Sequence, residues 1–130
     1  MLVVDASVLT PALVDDGRDG DACRARLLGE SLAAPELVDL EVASAIRRQH
    51  AAGLLDARRA EFALADLGVL SISRAIHRPL LTRCWELREN LTIYDAAYVA
   101  LAELLQVVLL TADRRLASAA GVRCEIELIR

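Results

Sequence analysis

Four carboxylates in this chain stand where a cation-binding edge would need them. Asp5 ends the run Val3-Val4-Asp5-Ala6-Ser7, and Asp113 closes Leu109-Leu110-Thr111-Ala112-Asp113. Glu41, in Val38-Asp39-Leu40-Glu41-Val42, and Asp95, in Leu91-Thr92-Ile93-Tyr94-Asp95-Ala96-Ala97-Tyr98, fall early in stretches of helical period. In a right-handed parallel α/β sheet, the residue after a strand and the start of the next helix lie at the carboxyl edge, where ligands bind. Taken singly, each acid fits a helix cap or a complement to the helix dipole, and Thr92 with Asp95 three residues on reads as a capping box. Caps do not explain four acids from four elements aimed at one edge among apolar neighbours, where like charges repel and desolvate poorly. A bound cation resolves the conflict. Carboxylate oxygens with no histidine or cysteine nearby in sequence suit Mg²⁺ or Mn²⁺ rather than zinc. One or two such ions, about 3.5–4 Å apart when paired, acidify a bound water, hold a phosphodiester and neutralise the leaving oxygen. The chemistry that follows is phosphodiester hydrolysis.

The elements that must position these acids are legible as alternating strand-length apolar runs and helical periods, the pattern of an α/β domain with a parallel sheet. Strands are expected at residues 2–4, 32–34, 69–72, 107–110 and 125–129. Helices are expected at 19–28, 37–51, 57–67, 76–88, 93–105 and 114–119, the second stopped by Gly53. The chain has 130 residues, 55% hydrophobic and 26% charged, which predicts one domain over residues 1–130 with a core able to stand without disulfides. All fifteen basic residues are arginine. Without lysine there is no Schiff base, no phosphate-cradling P-loop lysine and no partner for a phosphoaspartate. Cys23, Cys84 and Cys124 are odd in number and widely spaced, which speaks against a disulfide framework or zinc site. The start lacks a basic and then apolar leader, and later apolar runs are cut by Glu103, Gln106 and Asp113, so the expectation is a cytoplasmic protein with no membrane attachment.

The residues quoted resemble the PIN-domain ribonucleases, and within them the VapC toxins of type II toxin–antitoxin pairs. The resemblance runs through Val3-Val4-Asp5-Ala6-Ser7, DLEVASAIRR (residues 39–48), LTIYDAAYVALAE (residues 91–103) and LLTADRRLA (residues 109–117), the third being the most specific. It implies a PIN-like fold with a five-stranded parallel sheet between helices. It also implies an endoribonuclease site, dependent on Mg²⁺ or Mn²⁺, made from Asp5, Glu41, Asp95 and Asp113. Asp5 and Asp95 would be the surest metal ligands, with Glu41 and Asp113 ligating directly or through water. Thr111 would hold the acidic cluster or the attacking water, and Ser7 either orients Asp5 or caps a helix. The family further implies a structured RNA substrate (transfer or ribosomal RNA), a homodimer, and a VapB-type antitoxin whose tail occupies the acidic groove. A rival reading keeps the fold and has the acids receive a basic antitoxin peptide without turnover. An aspartate-nucleophile phosphatase is disfavoured because Ser7 stands two residues after Asp5 and lysine is absent.

The net charge of −4 is that of the four acids alone, since the remaining acids match the arginines in number. Arg47 and Arg48 on the Glu41 helix, and Arg114 and Arg115 after Asp113, are candidates for gripping RNA phosphates. His50 and His77 have no metal-ligand partners nearby in sequence and are assigned to surface or helix-end positions rather than to general-base work. Gly29-Glu30-Ser31 echoes a nucleophile elbow but lacks the second glycine. Trp85, Tyr94 and Tyr98 are too few for an extended base-stacking platform, and the two tyrosines are expected to pack on the sheet. Asp15 and Asp16 before Gly17 read as an exposed turn near the mouth of the site. The aliphatic residues between Leu54 and Arg88 suit a dimer or antitoxin surface.

Overall fold

The computed structural model describes all 130 residues. Five strands, β1 (Leu2–Val4), β2 (Leu32–Pro35), β3 (Ile72–Ala75), β4 (Val108–Thr111) and β5 (Ile126–Leu128), form one sheet in the order β3-β2-β1-β4-β5, with every neighbouring pair parallel. Seven α-helices connect and cover it: α1 (Ala6–Val14), α2 (Arg18–Leu27), α3 (Leu37–Ala51), α4 (Ala57–Val69), α5 (Leu81–Glu86), α6 (Ile93–Leu105) and α7 (Arg114–Ala117). The chain winds outward from β1 through β2 to β3, then returns to lay β4 on the other side of β1. The winding therefore reverses between β1 and β4, and a crevice opens at the carboxyl ends of those two strands.

The expected parallel sheet is present, and α3 and α6 have the expected bounds. Three expectations need correction. Helix α1 is absent from the expected set: it starts directly after β1, with no loop to announce it, and Pro11 interrupts its helical pattern. Pro11 nevertheless accepts at its carbonyl from Asp15 N–H, which closes the last turn. The strand expected at 69–72 is displaced to Ile72–Ala75, because α4 continues through Val69 and a turn at Leu70 follows. β3 is an edge strand whose sequence, Ile-Ser-Arg-Ala, carries little apolar signal. The helix expected at 76–88 is split into a 3₁₀ turn, Arg78–Leu80, with Pro79 inside it, and the short α5.

Twenty-nine buried apolar residues form one core around the sheet. Helix α6 is the central support, buried without interruption from Ala96 to Ala102. A helix apolar all round belongs inside, and Ala96, Ala97, Ala100 and Ala102 keep it slim enough to lie close to β1, β2 and β4. Leu9, Leu109 and Leu110 are fully covered, and each such burial contributes about 1.5–3 kcal/mol. Gly20 marks the tightest approach: a Cβ there would meet the Asp15 carbonyl oxygen at 1.8 Å, so only glycine lets α2 fold back against the end of α1. No helix is long and apolar enough to cross a membrane.

Candidate active site

Asp5 leaves β1 at the point where the winding reverses, and it is buried. It occupies the N-cap position of α1 but makes no side-chain cap, because both its oxygens are already engaged. Ser7 Oγ donates to Oδ1 at 2.6 Å, and Thr111 Oγ1, at the end of β4, donates to Oδ2 at 2.8 Å. The two hydroxyls are themselves pinned by backbone: Ala112 N–H donates to Ser7 Oγ at 2.8 Å and Asp113 N–H to Thr111 Oγ1 at 3.0 Å. This web ties the ends of β1 and β4 together. Of the two roles open for Ser7, the geometry supports the first: its hydroxyl orients Asp5.

Glu41 projects from the second turn of α3, where Tyr98 Oη donates to its Oε1 at 2.5 Å. Asp95 sits in the first turn of α6, its N–H donating to Thr92 Oγ1 at 3.1 Å, which is the N-cap the spacing predicts. Asp113 caps α7 by accepting Arg115 N–H at 2.9 Å, and its other oxygen lies 3.5 Å from the exposed Arg115 guanidinium. All four acids, with Ser7, Tyr98, Arg48 and Arg115, line a single hollow of about 570 Å³. Thus four separate elements do bring the expected carboxylates to one edge.

The electrostatics follow from burial. Desolvation pushes the Asp5 carboxyl up from 3.8 to about 6, against the pull of the Ser7 and Thr111 hydrogen bonds, with Asp95 and Glu41 adding repulsion. Burial also raises Glu41, opposed by the Tyr98 hydroxyl and helped by Asp95. Asp95 rises through burial and then through Asp113, while Thr92 and Arg115 act the other way. No arginine is within ion-pair distance of Asp5, Glu41 or Asp95. No three acids close into a ready-made cage around one point. The donor set nevertheless fits a hard divalent ion: it is all oxygen, three of its four acids have no ion-pair partner, and Mg²⁺ commonly keeps several waters and takes few direct carboxylates.

Of the four arginine candidates, Arg48 and Arg115 reach this hollow. Arg114 lines a neighbouring hollow of about 300 Å³ with Asp15, Asp19 and Arg130, and Arg47 is exposed on α3 outside the walls. His77 accepts Leu37 N–H at 3.0 Å at the start of α3, and His50 Nδ1 lies 2.8 Å from the Leu55 carbonyl near the end of that helix, so both are helix-end residues. Asp15 accepts from Gly17 N–H and Asp16 pairs with Arg59, as a turn requires. Tyr94 departs from expectation: it is 66% exposed rather than packed on the sheet. Tyr98 is buried as expected, yet its hydroxyl belongs to the site. The spacing of three from Asp95 on one helix was the available signal for that.

Residues 2–122 match the PIN domain family, and the chain belongs to it. The chain is 45% identical to Ribonuclease VapC1 of Mycobacterium tuberculosis (strain H37Rv) over 130 residues, covering 98% of this chain and 97% of the relative, so its family likeness is to the VapC ribonucleases of toxin–antitoxin systems. Two solved structures share the fold. One is M. tuberculosis VapC20, a sarcin–ricin loop cleaving toxin, with a TM-score of 0.73 and 14% identity over 95% of this chain and 97% of that one. The other is VapBC2 from Rickettsia felis bound to a fragment of its promoter DNA, with a TM-score of 0.71 and 12% identity over 99% and 98%.

Proposed function

We propose that the chain is a single-domain endoribonuclease toxin dependent on Mg²⁺ or Mn²⁺, with Asp5, Glu41, Asp95 and Asp113 as its metal-binding acids and a structured RNA, transfer or ribosomal, as its substrate. The observation that carries this reading is four carboxylates in one hollow at the sheet's reversal point, three of them without a cationic partner. Asp5 and Asp95 would ligate directly, and Glu41 and Asp113 directly or through water. Bound there, the ion supplies Lewis acidity and charge neutralisation for phosphodiester hydrolysis.

The chain's own residues do the rest. Ser7 and Thr111 hold Asp5 in one orientation, with each hydroxyl proton committed to a carboxylate oxygen. The Ser7 oxygen also accepts the Ala112 N–H, and the reaction this reading implies is attack by water, with inversion at phosphorus and no covalent enzyme intermediate. Thr111 and Asp113 are coupled through a backbone N–H, so the β4 end moves with the cluster. Arg48 from α3 and Arg115 from α7 offer charge and bidentate hydrogen bonds to RNA phosphates at the hollow's walls. Arg47 and Arg114 lie farther out and would act only on flanking phosphates.

The partners follow from the same surfaces. A VapB-type antitoxin with a basic tail would enter the acidic hollow. A separate apolar cleft is lined by Leu37, Leu80, Leu81, Ile93 and Tyr94, and Leu40, Ile76 and Trp85, each within three residues of its lining in sequence, are exposed. We read this face as the homodimer contact. RNA as substrate puts the place of action in the cytoplasm.

The test is cleavage of total bacterial RNA by purified, antitoxin-free protein with Mn²⁺ or Mg²⁺, alongside EDTA and Asp95→Asn, mapping new 5′ ends. Discrete cuts that vanish in both controls are expected. Intact RNA from folded protein with Mn²⁺ bound would overturn the catalytic reading in favour of a module that only receives the antitoxin peptide.

A further inference from the structure

Tyr98 is 1% exposed, the largest of the fully covered side chains, yet its hydroxyl reaches the wall of the acidic hollow. Packing alone would be served equally by phenylalanine, since a buried phenol must find a partner for its O–H or incur a desolvation penalty. The partner it finds is Glu41 Oε1, at 2.5 Å and 57 positions away in sequence. Tyr98 stands three residues after Asp95 on α6, so the two share a helix face. The bond therefore ties the carboxylate supplied by α3 to the helix that supplies Asp95. It also engages one oxygen of Glu41 and leaves Oε2 without a hydrogen-bond partner. The aromatic ring is held by the core, so the strut is anchored at its base as well as at its tip.

We propose that Tyr98 is a positioning residue of this ribonuclease: its hydroxyl fixes the rotamer of Glu41, with Oε1 engaged and Oε2 presented to a divalent cation bound between α3 and α6. The inference rests on the reading of the four acids as a metal centre. It differs from a merely structural role for Tyr98 because removing the hydroxyl should weaken metal binding while the fold persists. Groups that orient metal ligands from behind typically change affinity by about 10–100-fold when removed.

The experiment is Mn²⁺ titration of Tyr98→Phe, followed by the electron paramagnetic resonance of free Mn²⁺, with thermal unfolding as the check on folding. The expected result is a folded protein that binds Mn²⁺ about tenfold or more weakly and whose RNA cleavage recovers as Mn²⁺ is raised. Unchanged Mn²⁺ affinity in folded Tyr98→Phe would overturn the proposal. So would a full further loss on adding Tyr98→Phe to Glu41→Gln, because a residue acting through Glu41 has little left to do once that carboxylate is gone. Asp5→Asn runs in parallel. If Asp5→Asn binds Mn²⁺ as the parent does, the metal centre fails and Tyr98's role with it. If Asp5→Asn loses Mn²⁺ but Tyr98→Phe does not, Tyr98's role alone is refuted. A measurement on the unmutated side chain covers the case in which Tyr98→Phe does not fold. The chain has two tyrosines, so 3-fluorotyrosine labelling yields two ¹⁹F signals, assigned through Tyr94→Phe. Added Mg²⁺ should shift the Tyr98 signal in the parent and not in Glu41→Gln, and a Tyr98 signal indifferent to saturating Mg²⁺ would refute the strut.

Discussion

Removing the charge of Asp5 should make the metal-free protein more stable, and by an amount that depends on pH in a stated way. Its carboxyl is raised from 3.8 to about 6 on folding, chiefly by burial. At about 1.36 kcal/mol per pH unit, that rise corresponds to about 3 kcal/mol. The sign follows from proton binding. Below about pH 4 the group is protonated in both states and the native state bears no charge penalty. Between about pH 4 and 6 the unfolded chain releases the proton while the native state retains it, so stability falls as pH rises. Above about pH 6 the penalty is complete and constant. An asparagine in this position titrates nowhere in the range, and its amide can still accept from one hydroxyl and donate to the other. The stability difference between Asp5→Asn and the parent should therefore climb by about 3 kcal/mol across pH 3.5–7.5, most of it between pH 4 and pH 6, then level off. Urea unfolding of both proteins in EDTA across pH 3.5–7.5 measures it. Two other carboxylates lie below their usual range: Glu103, where hydrogen bonds from Arg83 and the Arg123 N–H outweigh burial, and Glu127, bonded by Arg26. Their contribution to stability is lost as pH falls, but it is common to both proteins and cancels in the difference. Mg²⁺ at about 1,000 times its Kd should reverse the ranking, since an ion that binds only the native state then stabilises it by about 4.1 kcal/mol. A difference curve flat from pH 4 to pH 7 would refute the argument that Asp5 is an unpaired charge held in the site against its own solvation.

Three other outcomes follow from the structure. Arg48→Ala and Arg115→Ala should each weaken binding of RNA to a non-cleaving Asp95→Asn background and lower the salt slope of that binding by about one, while Arg47→Ala, outside the hollow, should do much less; fluorescence anisotropy at several salt concentrations separates them. Leu81→Glu places a charge in the exposed apolar face beside Tyr94 and Ile93, and light scattering should show a dimer reduced to monomers with the circular dichroism spectrum retained. Gly20→Ala forces a Cβ against the Asp15 carbonyl and should cost at least about 1–3 kcal/mol of stability by overpacking, read as a drop in the urea midpoint, whereas Gly68→Ala, with open space around it, serves as the comparison.

The four acids were legible because each is a charge placed against an apolar run, and the strand-then-acid order of β1 and β4 is visible without coordinates. What turns them into one site is the sheet order, and no local pattern states that β4 returns to lie beside β1. The resemblance to a known family supplied that information. Thr111 emerged only through that resemblance, since a threonine in Leu109-Leu110-Thr111 looks like any strand residue. Its role became physical once Oγ1 was seen between Asp5 and the Asp113 N–H. Tyr98 was hidden for a different reason. An aromatic inside the Ala-rich α6 reads as core, and it is core, so burial concealed a hydroxyl with a second function. Helix α1 was missed because it follows β1 with no intervening loop and Pro11 interrupts its pattern, although Asp5, an N-cap residue by type, stands directly before it and has its oxygens engaged elsewhere. Local rules failed there at the position the site occupies, as expected where function competes with capping.

The Thr111 hydroxyl reaches Asp5 across 106 positions of sequence and lies 3.3 Å from the Ser7 hydroxyl across 104. A chain that stops before β4 would contain Asp5, Glu41 and Asp95 but neither the hydroxyl that holds Asp5 from across the sheet nor the fourth acid. Every partial product that ends before β4 is thus short of the same corner of the hollow, and a late-made stretch of the molecule completes it. A growing chain would therefore lack the complete acidic corner until residues 108–113 had been made and laid beside β1.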